Sequence, residues 1–264
     1  KLSGLTFQAP YTKMSKTRLS ARIDIKNEYV IKSIQFDGLR KLGDPNTFAK
    51  RYYQQGIDEI IFMDAVASLY DRNSLSKIID QACQEIFVPI TVGGGIRTIT
   101  DIQGALDAGA DKVAINTQAI KTPHFIEEGA QIFGCQCLVG SIEAKKKGNK
   151  WEAYIDNGRE ETGLDVVDWA QQLESLGVGE ILLTSVDKEG TRQGFDIELI
   201  NEIAHKISVP LTVAGGAGTL WHIDEVCAIP KIDAISVASM LHYGIESIKT
   251  IKERMVKGGH RVRT

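Results

Sequence analysis

Val88–Thr98, VPITVGGGIRT, returns about 120 residues later as Val209–Thr219, VPLTVAGGAGT. Each copy joins a short β-branched run, bounded by Pro, to glycines and then to a segment with helical spacing. At nearly the same offset GIDEIIFMD (Gly56–Asp64) answers GVGEILLTS (Gly177–Ser185). RIDIK (Arg22–Lys26) answers SIEAK (Ser141–Lys145), which sets Asp24 opposite Glu143. The chain reads as two similar halves.

Working outward from the glycines, strand and helix patterns alternate. In the first half the strands are Arg18–Asp24, Glu59–Asp64, Pro89–Val92 and Lys112–Asn116. Helical patterns cover Asn46–Gln55, Ser74–Ile86 with Ser74 as N-cap, Ile99–Ala108 and Pro123–Phe133. Ile34–Pro45 reads as a longer loop. The second half gives strands Cys137–Glu143, Ile181–Ser185, Leu211–Ala214 and Ala234–Val237. Its helices are Val166–Leu176, Asp196–Ile207, His222–Ala228 and Ile245–Val256. Between Ala144 and Gly163 the rhythm breaks: Lys145–Lys150 is turn-like, Trp151–Ile155 is one arm of a hairpin, and the whole reads as an insertion. Eight strand-helix units in two halves specify an α/β fold, the (βα)8 TIM barrel built from two half-barrels. An open doubly wound sheet is the competing fold and explains the doubling less well.

Length and composition agree with one barrel. The chain has 264 residues, 43% of them apolar, against about 250 for an ordinary α/β barrel. The barrel domain is 16–264, and 1–15 is a loose arm or an appended remnant. A formal charge of −3 and a pI near 6.0 supply no basic field for nucleic acid or an anionic membrane. Any anion site is then local. Cys83, Cys135, Cys137 and Cys227 lack paired spacing and a suitably spaced His, so they read as reduced thiols of a cytosolic protein that offer no zinc site. No apolar run approaches the roughly 20 residues of a membrane span.

In a barrel the residues ending the strands gather at one mouth. Asp24, Asp64, Asn116, Glu143 and Ser185 end strands, with Asp187 and Glu189 just beyond. Carboxylates on the first and fifth strands face one another and suit general acid and base work on one substrate. Glycines at 93–95 let backbone N–H groups approach a phosphate, and Gly215, Gly216 and Gly218 repeat the arrangement. Asn116 with Thr117, and Ala238 with Ser239, begin the loops beside the two glycine turns. Two phosphate sites related by the repeat fit the two ends of a bisphosphate.

The motifs RIDIKNEYVIKSIQFDGLRKLGDP, FMDAVAS, VGGGIRT, KVAINT, LLTSVDKEGT and GGAG together resemble the cyclase subunit of imidazole glycerol phosphate synthase. The likeness covers about Lys16–Lys252. It implies a cytoplasmic lyase of histidine biosynthesis that takes ammonia from a glutaminase partner and uses no metal or redox cofactor. Its substrate would be a bisphosphorylated ribulosyl formimino aminoimidazole carboxamide ribonucleotide, and its products imidazole glycerol phosphate and aminoimidazole carboxamide ribotide. By motif, Asp24 matches a catalytic aspartate and Lys32 the lysine of a mobile loop. Asn116, Thr117, Gly216, Ala217 and Ser239 match phosphate contacts, and Gly95, Asp64, Thr184 and Gly190 match other mouth residues. Arg18, Glu59, Lys112 and Glu180, near strand starts, match a charged ring that guards an ammonia passage at the opposite end, where the glutaminase docks. Asp111 matches a partner-facing residue.

The sequence also departs from the family. Glu143 stands for its second catalytic aspartate, Lys188 and Glu189 make DKEGT of DRDGT, Arg22 replaces a small thiol, and Ser33 replaces a glycine. An added methylene moves a carboxyl by roughly 1.5 Å, and about 1 Å of misplacement can cost a hundredfold in rate. Two other members of the wider family therefore compete: a cyclase-like paralogue that docks a glutaminase and supplies ammonia for amidination of a surface sugar, and a phosphoribosyl isomerase. The charged ring and LLTSVDKEGT favour the cyclase over the isomerase.

The remaining features read as ordinary structure. Lys145–Lys147 is a solvated loop. Trp151, Trp169 and Trp221 are packing residues. His205, His222 and His242 share no spacing and stay outside the catalytic set, and the basic Lys252–Arg263 cluster ends a helix.

Overall fold

The computed structural model describes residues 16–65 and 75–263. The arm 1–15, the proposed cap Ser74 and the end of FMDAVAS beyond Ala65 lie outside them. The apolar runs form strands β1 (Arg18–Lys26), β2 (Tyr29–Ile34), β3 (Asp37–Gly43), β4 (Glu59–Asp64), β5 (Ile90–Gly93), β6 (Lys112–Ile115), β7 (Leu138–Lys147), β8 (Lys150–Ile155), β9 (Glu160–Asp165), β10 (Glu180–Ser185), β11 (Leu211–Ala214) and β12 (Ala234–Val237). Of these, β1, β4, β5, β6, β7, β10, β11 and β12 pair in parallel in that order, and β12 returns to β1. The ring is closed, so the barrel leaves no strand edge unpaired.

Helices α1 (Pro45–Gln54), α2 (Ser76–Glu85), α3 (Ile99–Asp107), α4 (Thr117–Lys121), α5 (His124–Phe133), α6 (Val166–Leu176), α7 (Ile197–Ala204), α8 (Leu220–Cys227), α9 (Ser239–His242) and α10 (Ile248–Lys257) fill the connections. Several begin where a short polar side chain accepts an otherwise unpaired N–H: Asp44 from Thr47, Asp165 from Val167, Asp196 from Leu199 and Ser247 from Thr250. Each such cap is worth about 1 kcal/mol.

Strand side chains alternate between two apolar compartments. Leu19, Ala21, Ile23, Ile60 and Phe62 face outward into the large core under the helices. Ile61, Met63, Ala114, Val139, Leu182 and Ala214 form a smaller cluster of their own. Period two assigns these to the barrel interior, where Arg22 and Asp24 also point from β1. A fully buried Leu or Ile in either layer contributes about 1.5–3 kcal/mol.

The doubling extends to individual hydrogen bonds. Asp24 pairs in register with Met63 as Glu143 does with Thr184. Ala65 N donates to Ile25 O at 2.9 Å and Val186 N to Ala144 O at 2.8 Å. At the strand starts, the Asp111 carboxylate accepts from Ile90 N at 2.8 Å, and Asp233 does the same for Leu211 N at 3.0 Å.

Two sequence expectations need correction. Residues 34–45 are mostly not loop: β2 and β3 form an antiparallel hairpin that continues β1. Nor is 144–163 an insertion peculiar to the second half, because β8 and β9 continue β7 in the same way. Lys145–Lys147 belongs to β7, with Lys146 on Glu198 at 2.6 Å and Lys147 on Glu152 at 2.8 Å. Both halves thus raise a two-stranded arm beside the mouth.

Candidate active site

Asp24 and Glu143 occupy interior positions at the mouth end of β1 and β7, four places apart in a ring of eight, and are therefore on opposite walls. Both are buried. Their surroundings differ. Arg22, two residues before Asp24 on the same strand face, donates from Nε to Asp24 Oδ1 at 2.8 Å and from Nη1 to Thr184 Oγ1 at 3.0 Å. Lys32 Nζ lies 3.7 Å from Asp24 Oδ2 and hydrogen-bonds Glu189. Glu143 Oε2 instead accepts from the backbone N–H of Gly158 at 2.8 Å.

These environments separate the two acids. Burial alone would raise Asp24, but the charges of Arg22 and Lys32 outweigh it and hold the carboxyl below the ordinary carboxylate range. At Glu143 burial wins over the more distant Arg22 charge and the Gly158 N–H, and pushes the carboxyl up to about 7. One wall therefore presents a carboxylate at neutral pH and the other an acid poised to give or take a proton.

The two glycine turns flank this pair. Gly94 and Gly95 have φ of +90° and +75°, and Gly215 and Gly216 have +95° and +101°, a region open mainly to glycine. Steric need is part of the reason: a Cβ on Gly94 would lie 2.2 Å from Asp64 O, and one on Gly216 would lie 1.9 Å from Gly194 O. Beside the first turn lies a cavity of about 300 Å³ lined by Asp64, Gly94, Gly95, Arg97, Asn116, Thr117, Lys121 and Glu143. Asn116 Nδ2 donates to Tyr154 O at 3.1 Å, while its buried Oδ1 has no partner among the described residues. Beside the second turn a space of about 10 Å³ is lined by Arg22, Lys32, Glu189, Gly190, Gly216, Ala217, Ala238 and Ser239, and a cavity of about 480 Å³ adjoins it, sharing Lys32, Gly190 and Ser239.

Both arms reach over the mouth. Lys32 and Ser33 are buried on β2, and Gln35 N donates to Glu189 O at 2.8 Å, seating the first arm on the loop after β10. Lys32 is therefore part of a strand rather than of an open loop. The tips of the arms approach each other beside the loop after β10: a Cβ on Gly158 would lie 2.9 Å from Val186 Cγ1 and 3.4 Å from Phe36 Cδ2. The Arg22 guanidinium lies 5.8 Å from the Phe36 ring centroid, beneath that contact.

At the opposite end Arg18, Glu59, Lys112 and Glu180 close a ring of alternating sign. The contacts are Arg18–Glu59 at 2.8 Å, Glu59–Lys112 at 2.9 Å, Lys112–Glu180 at 2.7 Å and Glu180–Arg18 at 2.7 Å. Thr91, Ser20 and Thr212 hydroxyls donate further hydrogen bonds to the same carboxylate oxygens. Asp111 is exposed beside the ring, and its carboxylate holds the start of β5.

Sequence reasoning placed most of these residues and missed others. Arg22 was visible as a departure, yet its partner Thr184 lies 162 residues away; the signal for its role was its spacing of two from Asp24. Gly158 and Asn157 enter the mouth only because 144–163 folds back over it. His242 is buried behind β1, bonded through Nδ1 to Tyr52 Oη at 2.7 Å, with burial and then Lys32 lowering it to about 3. Trp151 and Trp169 pack as expected, whereas Trp221 is 65% exposed.

Comparison with known proteins gives concordant matches. A family model described as "Histidine biosynthesis protein" matches residues 18–247. An imidazole glycerol phosphate synthase subunit HisF from Legionella pneumophila is 55% identical over 208 residues, 78% of this chain and 98% of that protein. Its namesake from Lactococcus lactis subsp. cremoris (strain MG1363) is 44% identical over 246 residues, 92% of this chain and 95% of that protein. The protein of the same name from Lactococcus lactis subsp. lactis (strain IL1403) is also 44% identical over 246 residues.

Proposed function

The chain belongs to the histidine biosynthesis protein family, and from that premise we propose that it is the cyclase subunit of an imidazole glycerol phosphate synthase. The observation that carries this reading is the opposed pair, Asp24 below and Glu143 above the ordinary carboxylate range, between two glycine turns. Ammonia attack and ring closure both require a proton to leave the attacking nitrogen and another to reach a departing group. Asp24, held ionised, serves as the base. Glu143, protonated below about pH 7, serves as the acid. A bisphosphate bridging the turns would present its central carbons between them. Asn116 and Thr117 serve one phosphate, and Lys32, Gly216, Ala217, Ala238 and Ser239 serve the other, with Asp64, Gly95, Thr184, Glu189 and Gly190 completing the walls.

The glutaminase partner docks, on this reading, at the ring of Arg18, Glu59, Lys112 and Glu180, with Asp111 at its margin. Above the ring Ile61, Val139 and Leu182 form an apolar side of the interior, with Arg22 and Ser141 level with them on neighbouring strands; the apolar side suits neutral ammonia rather than ammonium. The test is direct. Purified protein with ammonium salt and the bisphosphate substrate yields imidazole glycerol phosphate, and absence of product under those conditions rejects the cyclase reading.

One observation favours a second reading. The Arg22–Asp24 pair occupies the mouth where the base must be free to accept a proton. A barrel that docks a glutaminase and hands its ammonia to a sugar-amidinating enzyme needs the ring and passage but no turnover at the mouth. Glutamine hydrolysis stimulated by this barrel without imidazole product selects that alternative.

A further inference from the structure

The second glycine turn has little room of its own. The space against Gly215 and Gly216 is about 10 Å³, about the room that one water needs, so a phosphate on this side of the mouth requires the adjoining cavity of about 480 Å³. Besides Lys32 and Ser239, that cavity is lined by Arg40 from β3, Arg192 from the loop after β10, and Tyr243. The family likeness gives none of these three a role. Arg40 lies directly opposite Lys32 in the β2–β3 ladder, which puts the two cations on one face of the arm, where like charges repel. Lys32 is offset by Asp24 and Glu189, whereas Arg40 has no carboxylate within ion-pair distance among the described residues. Arg192 is held at φ +61°, a conformation uncommon for a residue with a Cβ. The second glycine turn packs against it there: a Cβ on Gly218 would lie 2.4 Å from Arg192 O. Its guanidinium lies 5.7 Å from the Tyr243 ring centroid and likewise has no carboxylate partner among the described residues. Asp37 is the one carboxylate in the lining, so two uncommitted guanidiniums outweigh it.

We infer that Arg40 and Arg192 form an outer anion site that takes the second phosphate of the bisphosphate, with Lys32 and Ser239 at its inner end. This rests on reading the mouth as a bisphosphate site. A phosphate monoester suits the cavity better than a carboxylate does, because its three terminal oxygens can accept from two guanidinium forks and a hydroxyl at once. The arginines stand on different elements, one on the first arm and one on the loop after β10. Those elements are already joined by the bond from Gln35 N to Glu189 O at 2.8 Å, and an anion between the guanidiniums ties them further.

Arginine-selective 15N labelling of the whole chain gives an Nε–H reporter on each guanidinium, titrated with inorganic phosphate and then with the bisphosphate substrate at constant pH and ionic strength. The Arg40 and Arg192 signals are expected to shift together, with one half-saturating phosphate concentration. Arg40→Gln should raise that concentration at Arg192 by about threefold to tenfold, and Arg192→Gln should do the same at Arg40, the scale of one charge-assisted hydrogen bond at an open site. Lys41→Gln removes the same charge from the other face of β3, where Lys41 lies over Tyr29, and should leave both signals unmoved. Unshifted arginines, separate half-saturations or an equal effect of Lys41→Gln overturn the inference. In ammonium-dependent turnover either arginine variant should raise KM for the bisphosphate by a similar factor while kcat stays within about twofold. Arginines that answer to free phosphate while KM is unchanged refute the assignment to the substrate. If the unaltered protein turns nothing over, the cyclase reading fails instead, and the two titrations still decide the site.

Discussion

At the starts of the strands, Arg18, Glu59, Lys112 and Glu180 alternate in sign and close on themselves through contacts of 2.7–2.9 Å. At their ends two cations, Arg22 and Lys32, crowd Asp24, while Glu143 on the far wall takes its hydrogen bond from a backbone N–H. The first arrangement spreads compensation evenly, so each carboxylate meets both cations. The second concentrates it, leaving one acid strongly ionised and the other near neutrality. Even compensation stabilises a barrel floor, and uneven compensation creates reactivity.

The largest test of that contrast is at the crowded wall. Asp24→Asn is expected to lower ammonium-dependent product formation by about a thousandfold, within the range for a lost acid–base group, with the circular dichroism spectrum retained. Comparable turnover in the variant would mean that Asp24 is structural, and the two ends would no longer differ in kind.

Glu143→Gln comes next and adds a pH signature. With Glu143 raised to about 7, a rate that uses it as an acid falls as pH rises through that value, and the glutamine variant should lose about a hundredfold in kcat together with that limb. Stability follows the same titration. The folded pKa lies above the unfolded one, so the stabilising contribution is complete below about 4.5 and is lost as pH rises through about 7. Urea midpoints of the two proteins should therefore diverge in favour of the variant between pH 5 and 8, by up to about 3 kcal/mol. Parallel profiles would return Glu143 to the ordinary range.

At the even end, Lys112→Met leaves Glu59 and Glu180 sharing Arg18 alone. Lys112 is partly open to solvent, so the expected loss is about 2 kcal/mol in urea denaturation, below the cost of breaking a fully buried pair. The smallest effect compares the halves: Asp111→Ala and Asp233→Ala each remove a carboxylate from a strand-start N–H. Each should cost about 1–2 kcal/mol. A wide gap between them would show that the matched hydrogen bonds do not bear matched loads.

The barrel was legible because its signal is repeated: Leu211–Ala214 and Ala234–Val237 coincide with the strands that form, and the pairing of Asp24 with Glu143 follows from the offset alone. The arms were less legible. The turn between β2 and β3 uses Gln35 and Phe36 at positive φ, with neither Gly nor Asn to announce it. The lysines of β7 read as solvent-facing loop, whereas ladder pairing with Lys150–Glu152 keeps them in a strand. Trp221 misled for the opposite reason, since aromatic size predicts burial and its place on α8 leaves it outside. Arg22 shows the limit for the site: local spacing sets the direction of its side chain, but the company it meets comes from β10.

Gly158, where the second arm turns back, gives its N–H to Glu143, and the space its missing side chain leaves faces Phe36 of the first arm, so the two arms together roof the carboxyl. Exposing that carboxyl to water would remove the burial that holds its proton and let it ionise. The cover that buries Glu143 is thus also what sets the pH at which it gives up its proton.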